Sequence, residues 1–328
     1  MARLVAAFGS SHSIMLAATR EDWTFAFRES DSALPLFDRT GAARSYAELL
    51  AAAPEGAGTM VTPEKMEAAY ERTFAAVAEL KRQIDATQLD VLVIVGDDQH
   101  ELFQDAMMPA LGIYYGETIR NAAQHEVPDG NWYRRAQMRR HEPERDAHYK
   151  VQAGLALHLI SGLTQREFDV CAVKELAPDQ YEGHAYSYIH RTYLTGRNLP
   201  VVPVMLNTYY PPNQVTPRRC VQLGRALKEL IALFPENLRV GILASGGLSH
   251  FVVDEALDRG VIAALGEKNL DRLAALNPKL LQAGSSEIRS WIVTAAAAAD
   301  LDLKWVEYVP AYRTPALTGT GLGFARWS

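Results

Sequence analysis

The sequence predicts an α/β fold, a single αβα sandwich around a central mixed sheet with long insertions. Three observations carry that expectation. Short β-branched runs alternate with longer helical patterns, as a sheet with helices on both faces requires. No composition shift, Ser/Gly-rich linker or internal repeat divides the 328 residues, so one domain over 1–328 is expected. Several strand-like runs also end in small residues followed by imidazole or carboxylate groups.

Taken in order, Leu4 to Phe8, Val91 to Val95, Phe168 to Val173, Pro200 to Leu206 and Arg239 to Ala244 read as largely buried strands. Pro63 to Ile84 reads as a helix. Its proline follows Thr62 in the first turn, and Met66, Ala69, Phe74, Val77 and Leu80 supply an apolar face. Thr216-Pro217 opens a second helix in the same way, running through Leu223, Leu227 and Leu230 to Phe234. Ser285 or Ser286 is placed to cap a further helix with Glu287 in its first turn. Two segments look irregular: Thr19 to Glu55, carrying Trp23, Phe25, Phe27, Phe37 and Tyr46, and Tyr115 to Arg145. Excursions of this length in an α/β domain serve as binding loops or lids, or as peripheral packing and subunit contacts.

Composition excludes several classes. The 33 Lys+Arg against 39 Asp+Glu give a net charge of -6, which argues against a nucleic-acid partner. The basic cluster Arg134, Arg135, Arg139 and Arg140 is interrupted by Gln137, Met138 and Glu142 and reads as a solvated helical face. The apolar start meets Ser10, Ser11 and His12 too early for a signal segment, and no run approaches a membrane span, so a cytoplasmic protein without a membrane partner is expected. Cys171 and Cys220 cannot form a disulfide framework or a thiolate metal site.

The polar residues gather at strand ends, where α/β sheets bind ligands. One strand runs into Gly9-Ser10-Ser11-His12-Ser13, another into Gly96-Asp97-Asp98-Gln99-His100-Glu101, a third into Ser245-Gly246-Gly247-Leu248-Ser249-His250. Neither a P-loop, a G-x-G-x-x-G nor a G-x-S-x-G elbow is present. Metal chemistry with an acid/base histidine fits these ends better. Glu287 in a helix start and His184 in Glu182-Gly183-His184-Ala185-Tyr186 are two further candidates, each with a plain structural alternative.

Together these residues resemble the type III extradiol catechol dioxygenases, the superfamily of the protocatechuate 4,5-dioxygenase catalytic subunit. The resemblance runs through Ser10-Ser11-His12, Gly96-Asp97-Asp98-Gln99, Gly183-His184, Pro203 to Pro212, Gly246-Gly247-Leu248-Ser249-His250, and Ser286-Glu287 with Trp291. Tyr115-Gly116-Glu117-Thr118-Ile119 and Tyr312-Arg313-Thr314-Pro315 are most similar to the 3-O-methylgallate 3,4-dioxygenase branch. The resemblance implies a non-haem Fe(II) held by two histidines and one glutamate, an aromatic diol and O2 as substrates, insertion of both oxygen atoms on ring opening, and a homo-oligomer. It implies His12 and Glu287 as metal ligands, His250 as the acid/base histidine, and His184 as a second active-site histidine touching substrate or dioxygen. One position departs from the pattern. Where the protocatechuate enzymes carry Asn-Asp-His followed four residues later by Phe, this chain has Asp98-Gln99 before Phe103, so Gln99 falls on the second histidine ligand. His100 competes for the role, although a shift of one residue on an extended strand turns a side chain to the opposite face. A non-catalytic binding protein on the same fold and a metal-dependent hydrolase are the alternative functions.

Overall fold

The computed structural model describes residues 1–24, 26–127 and 130–328; Phe25 of the aromatic-rich segment lies outside the described residues. The strands and helices that build the central layers are β1 (Arg3–Ser10), α1 (Pro63–Ala86), β2 (Val91–Asp97), β3 (Leu111–Tyr114), α2 (Ala153–Thr164), β4 (Cys171–Val173), α3 (His184–Thr192) and β5 (Val201–Leu206). They continue with α4 (Pro217–Leu233), β6 (Arg239–Ser245), β7 (His250–Val252), α5 (Glu255–Gly266), α6 (Ile288–Ala297), β8 (Leu303–Tyr312) and β9 (Thr318–Trp327).

Among the described residues nine strands form one mixed sheet in the order β7-β9-β1-β6-β2-β5-β3-β4, with β8 on the other edge of β9. The four strands β1, β6, β2 and β5 are parallel, and β9 runs antiparallel to β1. In the centre every strand is buried on both faces, and alternation sorts its residues between two cores. Val91, Val93 and Val95 pack with Leu223, Leu227, Ile292 and Ala296 of α4 and α6. Leu92 and Ile94 pack with Leu80 and Ile84 of α1 and with Tyr186 and Ile189 of α3. That is the expected three-layer sandwich.

Both proline-opened helices form. The Thr62 hydroxyl accepts from the Lys65 amide at 3.4 Å and that of Thr216 from Arg219 at 3.2 Å, so each side chain satisfies an amide that lacks an intrahelical partner. The third cap differs from expectation. A short 3₁₀ turn, Ala283–Glu287, precedes α6, and Ser285 instead accepts the His250 amide at 3.0 Å. The long irregular segments resolve into short pieces, among them helices Arg20–Thr24, Tyr46–Ala52 and Trp132–Met138. Among the described residues no helix is long and apolar enough to cross a membrane.

Register sets where ligands can approach. Ser10 pairs with Ser245 and Asp97 with Leu206, so β1, β6, β2 and β5 end level with one another. The segment after β6 is tied down by Asp258 of α5, whose carboxylate accepts from the Ser249 amide, the Ser249 hydroxyl and the Tyr308 hydroxyl, each at 2.7 Å. Burial pushes the Asp258 carboxyl up to about 6 in spite of these donors. A folded value above the unfolded one means that its favourable contribution is complete below pH ~4 and is lost as pH rises through ~6. The loss amounts to about 3 kcal/mol for a shift of roughly two units. Urea midpoints of the wild type and Asp258→Asn, compared at pH 4.5 and pH 7, are expected to show the wild type losing more stability over that interval. A parallel pH dependence in both proteins would refute the assignment.

Candidate metal centre

The level ends of the parallel strands bring His12, Gln99, His184, Tyr209, His250 and Glu287 around one cavity of about 240 Å³, with the fully buried Asp97 beside His12 and His184. His12 lies two residues beyond β1, Asp97 is the last residue of β2, and His184 is the first of α3. Glu287 ends the turn before α6, and His250 opens β7. All but Gln99 and Tyr209 are buried polar groups, and such groups must find partners or shed their charge.

The hydrogen bonds around the two nearest histidines fix what their inner nitrogens present. The Ser245 hydroxyl spends its proton on the Ala185 carbonyl at 2.7 Å, so at 2.9 Å it can only accept from His12 Nδ1. His184 Nδ1 donates to Glu101 Oε2 at 2.7 Å, while its backbone amide donates to Oε1 at 2.9 Å. In the neutral rings both Nε2 atoms therefore carry lone pairs. They face each other at 3.2 Å. His12 Nε2 is also 3.2 Å from Glu287 Oε2 and 3.5 Å from Asp97 Oδ1, and His184 Nε2 is 3.8 Å from Asp97 Oδ2. Four acceptors thus converge, with ligand atoms from His12, Asp97, His184 and Glu287 all within 4.8 Å of one another.

Such a cluster needs positive charge in its middle. Burial alone would lower the His184 pKa, but the Glu101 and Asp97 carboxylates outweigh it and push the imidazole up to about 9. Burial, reinforced by Glu287, raises Asp97, whereas in Glu287 the charges of His250 and His12 overcome burial and hold the carboxyl well below its usual range. Asp97 Oδ1 is buried with no hydrogen-bond partner. Two imidazole nitrogens and two carboxylates, oriented from outside by Ser245 and Glu101, form a donor set that fits a divalent metal ion.

The remaining residues frame this set. Glu287 accepts from the Tyr209 hydroxyl at 2.9 Å and from the Gly247 amide at 2.6 Å. Gln99 Nε2 lies 3.1 Å from Asp97 Oδ2 and 3.4 Å from Glu287 Oε1, and only the NH2 end of an amide can bridge two acceptors. His250 donates from Nδ1 to the Leu248 carbonyl at 2.9 Å, which leaves Nε2 in the cavity, 3.3 Å from Glu287 Oε1. Glu287 raises the His250 pKa against the opposing effect of burial. Gly284 is required beside it, because a methyl group there would run into the imidazole. His100 lies outside the cluster, with φ +63°, stacked on Tyr210 at 3.8 Å and paired with Asp105 at 3.1 Å.

Of the residues singled out in the sequence, His12, His184, His250, Gln99 and Glu287 meet at this cavity and His100 does not. Two that contribute were given no role there. Asp97 closes the donor set, and its signal was available in an acidic residue ending a fully apolar central strand. Glu101 orients His184, and burial of its carboxyl is outweighed by the His184 charge and hydrogen bonds, which keep it ionised. Arg140, read as part of a solvated face, instead lines the cavity.

Comparison with known proteins finds similarity to aromatic ring-opening dioxygenases. The family model described as the catalytic LigB subunit of aromatic ring-opening dioxygenase matches residues 54–323. Gallate dioxygenase of Pseudomonas putida is 33% identical over 105 residues, which are 31% of this chain and 30% of that enzyme. The chain thus matches less than a third of the length of that relative.

Proposed function

We infer the reaction from one premise: the chain belongs to the family of the catalytic LigB subunit of aromatic ring-opening dioxygenases, whose model spans residues 54–323, and is an enzyme of that kind. Enzymes of this family are metal-dependent and act on an aromatic substrate with O2. We propose that the metal is Fe(II), that the substrate is a catecholic or gallate-type ring such as 3-O-methylgallate, and that both oxygen atoms enter the product. Residues 1–328 act as one catalytic domain, in a cytoplasmic homo-oligomer.

The observation that carries the metal assignment is the convergence of two histidine lone pairs, each fixed by an outer hydrogen bond, with two buried carboxylates. His12 and Glu287 hold the metal, and Asp97 and His184 complete the set. Bound there, Fe(II) supplies a Lewis acid that acidifies the diol and a redox centre for oxygen. The thiols take no part, since Cys220 is buried in the core with its pKa pushed up to about 12 and Cys171 is raised by burial too.

The chain's own groups manage protons and position. His250 Nε2 faces the cavity as the base for the remaining phenolic proton, and its Nδ1–H is held by a backbone carbonyl that fixes the tautomer. The protonated ring then returns that proton as an acid. Tyr209 and the Gly247 amide keep Glu287 in one orientation, while Phe251 and Ile14 form apolar parts of the wall. Glu101 holds the His184 ring from its outer side, which keeps the Nε2 offered to the donor set in place.

Anaerobic loading with Fe(II), followed by oxygen uptake with 3-O-methylgallate, gallate and protocatechuate, tests this function. Uptake with at least one diol is expected; none from any of them, with iron bound, would overturn the proposal. For the departed position, iron content should be unchanged in His100→Ala and lowered about 10-fold in affinity in Gln99→Ala, where two carboxylates lose their tether. Iron lost from His100→Ala would instead restore His100 as a ligand.

A further inference from the structure

We propose that Arg140 recognises a carboxylate on the substrate ring, so that the preferred substrate is an anionic aromatic diol. This rests on the ring-opening reading above and adds a specificity-determining residue to it. Arg140 lines the cavity that holds the metal donors, and also a recess of about 90 Å³ formed with Glu101, Tyr181 and His184. Its Nη2 donates to the His12 carbonyl at 3.1 Å, which places the guanidinium beside the first metal donor.

Its pairing distinguishes it from its neighbours. Arg20 pairs with Glu67 and Glu71, Arg139 lies 3.7 Å from Asp22, and Arg191 lies 3.1 Å from Glu142. Among the described residues Arg140 has no carboxylate within ion-pair distance, and its Nε has no hydrogen-bond partner. The acid that shares its recess, Glu101, spends both oxygens on His184. The Glu101 charge reaches Arg140 only from beyond ion-pair distance, so part of the desolvation of this half-buried guanidinium goes without Coulombic return. A ligand carboxylate supplies that return, because the planar fork of N–H donors matches its two oxygens. An uncharged catechol would leave the cation as it is.

The test uses the metal-loaded protein and two probes, protocatechuate and catechol, with anaerobic calorimetry for binding and oxygen uptake for turnover. In Arg140→Gln the preference for protocatechuate over catechol, as a ratio of Kd and of kcat/KM, should fall roughly 10- to 100-fold. Arg140→Lys should recover part of it. An unchanged ratio, with both diols weakened equally, would mean that Arg140 only supports the His12 backbone and would overturn the proposal, as would a wild type that binds neither diol. Arg140-dependent binding without oxygen uptake would remove the ring-opening reading and leave this one standing. Opening of both rings with an Arg140-independent ratio would do the reverse.

Discussion

Replacing His12 by Ala is expected to weaken Fe(II) binding by more than about 100-fold and to abolish ring opening, measured by anaerobic calorimetry and oxygen uptake. His12 is the donor that faces each of the others: Nε2 lies 3.2 Å from His184 Nε2, 3.2 Å from Glu287 and 3.5 Å from Asp97. Removing it leaves one imidazole against two carboxylates and opens the centre of the set. Ser245→Ala should cost less, about 10-fold, because His12 then loses only the acceptor for its outer N–H. Metal removal from the wild type should follow the same logic in stability. At 100 times Kd a bound ion adds about 2.7 kcal/mol, so thermal unfolding should rise with added Fe(II) in the wild type and not in His12→Ala. Equal metal-dependent shifts in the two proteins would show that the ion sits elsewhere.

The contrast between these residues and others at the site explains what was legible in the sequence. The central strands announced themselves because β2 is apolar from Val91 to Val95, with burial on both faces replacing alternation. The β8–β9 hairpin did not. Its β9 strand carries Gly319, Gly321 and Gly323, residues that depress strand propensity, and the reason for two of them is tertiary. A side chain at Gly321 would run into Asp258, and one at Gly323 would meet Leu248 at 3.0 Å and Trp291 at 3.2 Å. Phe168 to Val173 shortened to Cys171–Val173 because only those residues find a partner in β3. At the site, His12, His184, His250 and Glu287 could be proposed from motif position. Asp97 had a weaker signal, its place at the end of an apolar strand, and adjacent acids at 97 and 98 look alike in sequence. In the fold Asp97 joins the donors, while Asp98 accepts the Leu102 and Phe103 amides and stabilises the turn that carries Glu101 toward His184.

Substituting His250 by Phe should leave iron content nearly intact while reducing kcat at least 10²-fold, the lower end of what a positioned acid/base supplies. The argument is geometric. His250 Nε2 is 3.3 Å from Glu287 Oε1, the oxygen already engaged by Tyr209, whereas the Glu287 oxygen nearest His12 is Oε2. His250 therefore lies beside the donor set rather than within it, and phenylalanine keeps the volume of the ring against Gly284 while removing its titrating nitrogen. Single-turnover oxygen uptake with anaerobically bound substrate separates the proton-transfer role from weakened binding: substrate should still bind, and the product should form slowly. Loss of iron from His250→Phe would make the residue a ligand. Retention of both iron and full turnover would require another base, and Tyr209, whose hydroxyl is buried and pushed well above its ordinary range by burial and by Glu287, is ill suited to that role near neutral pH.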